Sequence, residues 1–431
     1  MEKESEHLLE QEELLTGQAP HWTDNFFRAF PAFRHQNYRL FFAGQGTSLI
    51  GTWMQSVALG WLILTLTNSV FWVSFVNALI DLPILLFSLP AGILADRLDK
   101  KKIIMATNVL SMIAAFFFAL ATQFHFASLV LILFLTFVTG VSHAVEMPVR
   151  QTFIFDVVGK KDIASGVALN VGMFNSARVV GPAIAGVIIA LFSFPIAFLL
   201  NGISFVAVLF ALFKIKTKKF IPKENHPHPF LQLKEGVRFS TKHPIINTLL
   251  LVLAFNSFFP WAFNSIMPAI AKQIYHVESA GFGILLSASG LGALLAAIFV
   301  SSFSEKLNVG KTIGFVLALC AFCLLAFSYV DNFWVGFVLL FIIGFCLLSQ
   351  ISLINTTIQK SSPDFIRGRV MSVYSLMFLG VLPLGGLTMG TIANIIGIPE
   401  AIRLFGVVTL AGAALYIFFL ERRLTREKIA G

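Results

Sequence analysis

The sequence predicts an all-α membrane protein with twelve transmembrane helices in two pseudo-symmetric six-helix bundles. Three observations predict it. Mean hydropathy is +0.83, with 57% hydrophobic residues, 47 Phe and only 12% charged residues among 431, far from soluble composition. Apolar runs of about 20 residues recur, and a helix of that length, rising about 1.5 Å per residue, crosses a hydrocarbon core of about 30 Å. An acidic-basic joint also appears once in each half of the chain.

In chain order, the first 20 residues are acidic (Glu2, Glu4, Glu6, Glu10, Glu12, Glu13) and lack the basic and apolar regions of a cleavable signal peptide, so a disordered tail is expected. Residues 23–37 mix Phe26, Phe27, Phe30 and Phe33 with Arg28 and Arg34, which suits a segment lying in the membrane interface. Charge clusters and turn residues then divide the chain into twelve spans, near 40–66, 70–95, 103–122, 127–149, 163–191, 194–214, 244–271, 280–304, 311–329, 333–359, 367–396 and 401–420. The expected organisation is a tail and interfacial segment at 1–37, bundles at 38–214 and 244–421, a linker at 215–243 and a tail at 422–431.

With both termini in the cytoplasm, 28 of the 31 Lys and Arg fall on cytoplasmic segments; Lys272 and Arg403 lie near outer loops and Arg178 lies within a span. The positive-inside rule therefore orients the chain, and an anionic leaflet accounts for the +9 charge without nucleic acid. The Lys-rich, Pro-containing linker holds "LQLKEGVRF", a short surface helix, and His226 and His228, read as solvated rather than metal-bound. Cys320, Cys323 and Cys346 sit inside apolar runs and are read as small buried hydrophobes.

"GILADRLDKKK" (92–102) and "SSFSEKLNVGK" (301–311) align, with Glu305 on Asp96 and Lys306 on Arg97. Both join the second span of their half to the third, so the halves are repeats. Gly92-x-Leu94-Ala95-Asp96-Arg97 followed by Lys100-Lys101 resembles the loop 2–3 signature of the major facilitator superfamily, with Asp99 in place of the usual Gly. The resemblance implies a conformational latch in which Asp96 meets the start of span 11 (Arg367-Gly368-Arg369) and Arg150 at the end of span 4, with Gly92, Arg97 and Glu305 completing the joints. A carboxylate at a helix N-terminus, paired with Arg, gives that latch a physical basis.

Residues 172–186, "GMFNSARVVGPAIAG", place Gly181-Pro182 and Gly186 in span 5 and resemble the Gly-Pro signature of the proton-coupled drug antiporters of this superfamily, with Ala185 departing from its Gly-Gly ending. Pro removes a backbone hydrogen bond and Gly permits close packing, so a bend is expected there. "GTWMQSVALGWL", "MPVRQ", "GILLSASGLGALL" and "RGRVMSVY" extend the resemblance to the branch that contains the enterobactin exporter and macrolide efflux proteins.

Charges within spans are costly and point to function. Asp81 lies 14 residues from the end of span 2, near the midplane, with Arg178 at similar depth. Glu146 and Arg150, one helical turn apart, share a face and are expected to pair. Asp81 and Glu146 are the candidate proton-coupling carboxylates, because coupling needs an acid sheltered enough to hold a proton yet reachable by water from each side in turn. Arg178 is a candidate ligand for an anionic substrate group. Candidate cavity residues are Trp53 and Gln55 on span 1, Trp261 and Asn264 on span 7, and Gln350, Asn355 and Gln359 on span 10. Such walls suit an amphipathic or aromatic molecule. Pro260 and Pro268 lead us to expect bending in span 7.

Glu305 stands where a phosphate-binding loop needs its first Gly in "EKLNVGKT", and no nucleophile elbow, HExxH or Cys/His metal pattern is present. Catalysis is not expected. The expectation is a monomeric, cofactor-free secondary transporter of the bacterial inner membrane, exporting a drug or siderophore against a proton gradient. The rival readings are an uptake carrier or lysophospholipid flippase of the same fold, and a non-transporting receptor or scaffold.

Overall fold

The computed structural model describes residues 22–216, 229–303 and 307–420, and among them every regular element is helical. Span 1 is Gln36–Thr67, span 2 Val70–Arg97 and span 3 Lys100–Gln123. Spans 4 and 5 form one run, Leu129–Phe192, followed by span 6 at Phe194–Lys214. Span 7 is split into Pro244–Phe258 and Met267–Gln273; spans 8, 9 and 10 are Ser279–Phe303, Val309–Phe327 and Phe333–Ser361. Span 11 is Asp364–Ser375 and Leu382–Ile396, joined by a π-helical turn at Leu376–Gly380, and span 12 is Ile398–Leu415.

Eleven of these helical stretches are long and apolar enough to cross a membrane, and one of the eleven has 64 residues. At about 1.5 Å per residue that is about 96 Å, three times the core thickness, so it must cross twice. It does so around Gly159, whose φ of 73° and ψ of 176° leave the helical region. A Cβ on Gly166 would stand 3.1 Å from Ile154, a contact that an unbroken helix, about 18 Å long between those positions, forbids. The sequence reading placed a loop over 150–162. Instead both helices continue beyond the bilayer and a single glycine turns the chain, because that stretch contains no proline and no other breaker.

Two further departures follow from proline. Span 7 was expected to be continuous but bent; Pro260 removes a donor, and the chain runs through a turn and a 3₁₀ stretch at Ala262–Ile266 before Pro268 restarts the helix. Span 5, expected to bend at Pro182, keeps helical backbone there. Its glycines serve close approach instead: a Cβ at Gly186 would meet the Ser279 carbonyl at 2.7 Å, and one at Gly181 would meet Trp53 Cβ at 2.5 Å. Gly186→Leu should therefore force spans 5 and 8 apart and stop transport while leaving membrane insertion intact, as flux and surface labelling would read separately.

The interfacial segment is helical at Trp22–Ala29 and 3₁₀ at Pro31–Arg34, and the linker carries a helix at Pro229–Lys242, longer than expected, whose Glu235 pairs with Arg369 of span 11. The two ends of the bundle are here called the linker side and the far side.

Span 1 packs on spans 5 and 6, span 2 on span 4 and span 3 on span 6; in the second half span 8 packs on span 10 and span 9 on spans 10 and 12. Two matched seams join the halves, span 5 against span 8 and span 2 against span 11. On the far side one continuous apolar core runs through both halves, from Trp61, Ile63 and Phe198 to Ile270, Phe282 and Phe405. On the linker side the core divides. One cluster, around Phe41, Phe153 and Leu212, belongs to the first half, and another, around Leu249, Ile354 and Val370, to the second. Cross-half hydrogen bonds among the described residues agree: Ser69 to Asn394, Asn77 to the Ser265 carbonyl, Ser279 to the Gly186 carbonyl and Ser287 to the Val179 carbonyl, all at or beyond mid-depth. The far side is sealed and the halves part toward the linker.

Candidate functional site

Between the seams lies a chamber of about 430 Å³, walled by spans 1, 2 and 5 of one half and spans 7, 8, 10 and 11 of the other. Trp53, Asp81, Arg178, Trp261 and Asn264 all line it. Arg178 is brought there by the periodicity of span 5: Phe174, Arg178 and Pro182 recur every four residues and so share one face. Its guanidinium lies 5.2 Å from the Trp261 ring centre and 5.9 Å from that of Trp53. Cation–π attraction holds it there, worth about 1 kcal/mol at a half-buried site. Trp53 is propped edge-on by Phe174 at 5.7 Å and Trp261 by Phe378 at 5.9 Å, so the cation sits in an aromatic box. Among the described residues Arg178 has no hydrogen bond or ion-pair partner.

The broken span 7 makes this arrangement. The backbone N–H of Trp261 donates to the Asn256 carbonyl at 3.2 Å, closing the turn that presents the indole, and Asn264 Nδ2 donates back to the Trp261 carbonyl at 3.2 Å. Asn77 Nδ2 crosses from span 2 to the Ser265 carbonyl at 3.0 Å. One turn along span 2, Asp81 faces the same space without a hydrogen bond or ion pair among the described residues.

Glu146 lies elsewhere, inside the first half. It is 6% exposed, accepts from Asn108 Nδ2 at 3.1 Å and Gln45 Nε2 at 3.5 Å, and meets Arg150 Nη1 at 3.5 Å. Ser48, Thr107, Ser111, Thr136, Thr139 and Asn201 are also buried in this half, a polar interior that composition concealed. His143 faces a small cavity there with Gln55, Ser56 and Thr139. Removing Glu146 would strand Arg150 in this interior. Glu146→Ala should therefore cost about 3 kcal/mol of stability, read as a lower unfolding temperature in detergent that Asp81→Asn does not share.

Four expected cavity residues, Gln55, Gln350, Asn355 and Gln359, are not in the chamber wall. Gln55 turns into the first half, where its Oε1 accepts from Asn201 at 2.7 Å, because it sits on the opposite side of span 1 from Trp53 and Val57. Gln350 is fully buried inside the second half. Asn355 Oδ1 accepts from Gln359 Nε2 at 2.5 Å, nearer the linker end of span 10. Of the latch residues, the side chains of Gly92, Asp96 and Arg97, and the whole of Glu305, lie outside the described residues, as do His226, His228 and both tails. Arg367 bonds within its own segment, to Asp364 at 2.7 Å and to the Gln359 and Ser362 carbonyls. Asn77, Asn175, Phe282, Ser289 and Phe378 also line the chamber and escaped the sequence reading, although Asn77 shares a helix face with Asp81.

The sequence model of the transmembrane secretion effectors matches residues 28–429. The chain is 28% identical to the staphyloferrin A transporter of Staphylococcus aureus over 397 residues, covering 90% of this chain and 96% of that one. It is 24% identical to the multidrug efflux pump Tap of Mycolicibacterium fortuitum, over 82% and 88% of the two chains, and 23% identical to the enterobactin exporter EntS of Citrobacter koseri, over 82% and 85%. Among solved structures it resembles a bacterial homologue of the human lysosomal transporter Spinster in an inward-facing, unoccupied conformation, with TM-score 0.68, 15% identity and coverage of 90% and 97%. The nucleoside transporter NupG superposes with TM-score 0.71 at 11% identity, over 89% and 98% of the chains.

Proposed function

Because the chain belongs to the transmembrane secretion effectors of the major facilitator superfamily, and is thus a membrane transporter rather than an enzyme, we propose that it exports an anionic, amphipathic small molecule of siderophore or drug type in exchange for protons. The observation that carries this reading is Arg178, a cation boxed by Trp53 and Trp261 in a chamber wall and left without a carboxylate partner among the described residues. A half-buried cation without a counterion among the described residues favours an anionic guest, and the indole faces favour a flat or aromatic one. Siderophore and drug exporters among the relatives support the cargo class.

Asp81 is the proton carrier in this reading, since it shares the chamber with the substrate and has no partner among the described residues, whereas Glu146 is already held by Arg150 and Asn108. The bundles 38–214 and 244–421 rock about the chamber, tethered by 215–243, in the bacterial inner membrane with the linker and both termini cytoplasmic. The protein acts as a monomer without cofactor. Opening the far side breaks the four cross-half hydrogen bonds, and Asp96 then engages Arg367 and Arg150, which must exchange their present partners. Gly181, Pro182 and Gly186 form the bearing surface of span 5.

Purified protein in liposomes, loaded with a siderophore or a fluorescent drug and given an imposed pH gradient, tests the proposal. Movement of substrate that accelerates with the gradient and is matched by counterflow of protons supports it. Movement indifferent to the gradient removes proton exchange, and no movement of any anionic cargo removes the substrate class.

A further inference from the structure

A second and larger cavity, about 610 Å³, lies between spans 1 and 5 and has no part in the chamber. Phe42 and Ile50 of span 1 and Ala168 and Gly172 of span 5 wall it, and Ala29 and Phe30 of the interfacial segment close its linker end. On span 5 its residues Ser176 and Val180 sit two positions either side of Arg178, about 200° around the helix from the chamber face, so the groove opens to the membrane. It extends from Ser165 to Val180, about 22 Å along the helix, against about 15 Å for the hydrocarbon of one leaflet. Its polar lining is two serines, and Ser165 already accepts from Ala32 N–H.

The mouth of this groove is cationic. The Ala32–Ser165 bond at 3.3 Å and the His35–Asp162 contact at 2.8 Å fasten the segment that carries Arg28 and Arg34 against the start of span 5, next in sequence to Lys160 and Lys161. All four are exposed and without an ion-pair partner among the described residues. Of the described carboxylates nearby, Asp162 is engaged by His35 and Asp156 by Lys100 at 2.7 Å. Phe26, Phe30 and Phe33 cluster beside them, with Phe26 and Phe33 stacked at 5.6 Å, and fix the segment at the depth where lipid headgroups lie.

We propose that this groove binds one anionic phospholipid of the linker-side leaflet, an acyl chain lying between spans 1 and 5 and the phosphate held by Arg28, Arg34, Lys160 and Lys161. Hydrocarbon fits the wall, and four cations at headgroup depth, without an ion-pair partner among the described residues, select a negative lipid over a zwitterionic one. The site is independent of what the chamber transports.

The test is native mass spectrometry of the full chain after equilibration in micelles containing equal dioleoyl-phosphatidylglycerol and dioleoyl-phosphatidylcholine. The expected result is one retained lipid with about tenfold preference for phosphatidylglycerol. Arg28→Gln combined with Lys161→Gln should remove the preference while lipid is still retained. Gly172→Leu, at a position with nothing within 4 Å of a new Cβ, should lower retention of both lipids at an unchanged unfolding temperature. Ala168→Phe repeats that measurement should Gly172→Leu fold poorly. Equal retention of the two lipids by the unaltered protein overturns the proposal, as does full retention in both groove-filling variants.

Discussion

Arg178→Gln is expected to reduce transport of an anionic cargo by on the order of 100-fold, because an ion pair at a desolvated site is worth about 3 kcal/mol. The box around it adds a finer expectation. Arg178→Lys keeps the charge but loses the plane that lies against Trp53 and Trp261, so it should recover only part of the rate. Trp261→Ala should weaken binding more than Trp53→Ala, since its ring stands nearer the cation, at 5.2 Å against 5.9 Å. Binding to detergent-solubilised protein, followed by tryptophan fluorescence beside flux in liposomes, separates lost affinity from lost motion. Full activity in Arg178→Gln would show that the chamber cation does not meet substrate.

Asp81→Asn should leave substrate moving down its own gradient but abolish accumulation driven by protons. One proton exchanged per substrate across about one pH unit supports at most about tenfold accumulation, and the variant should support none. The amide keeps the size of the side chain and cannot release a proton, so binding itself should survive. Asp81 faces the chamber with no partner among the described residues, and the substitution should therefore cost little stability. If instead Glu146→Gln uncouples and Asp81→Asn does not, the proton travels through the interior of the first half and the assignment reverses.

Much of this architecture is legible in the sequence, for a stated reason. A bilayer leaves a helix with satisfied backbone groups as the available choice for an apolar run, so counting runs nearly counts spans. Depth is legible too: distance along the helix puts Asp81 and Arg178 near the midplane, and both reach the chamber. Rotation is less so. Gln55 is two residues from Trp53, and those two positions turn it from the chamber to Asn201. A hydropathy pattern that is apolar all round carries no mark of which face meets lipid, protein or water, so Gln350, Asn355 and Gln359 were assigned by helix and not by face. The loop expected over 150–162 is reduced to a turn at Gly159, which hydropathy does not mark because glycine is common in membrane helices and only its backbone angles distinguish a joint from a packing contact.

The seal on the far side has an evolutionary consequence. Three of its four hydrogen bonds end on main-chain oxygens, those of Gly186, Val179 and Ser265. Such an acceptor is present whatever side chain the position bears, so drift at those sites cannot delete the bond, and selection acts there only through the volume the seam will admit. The gate then rests on its donors, Asn77, Ser279 and Ser287, and because Asn77 also lines the chamber, a lineage that retools the chamber for a new cargo keeps its gate only while that side chain stays.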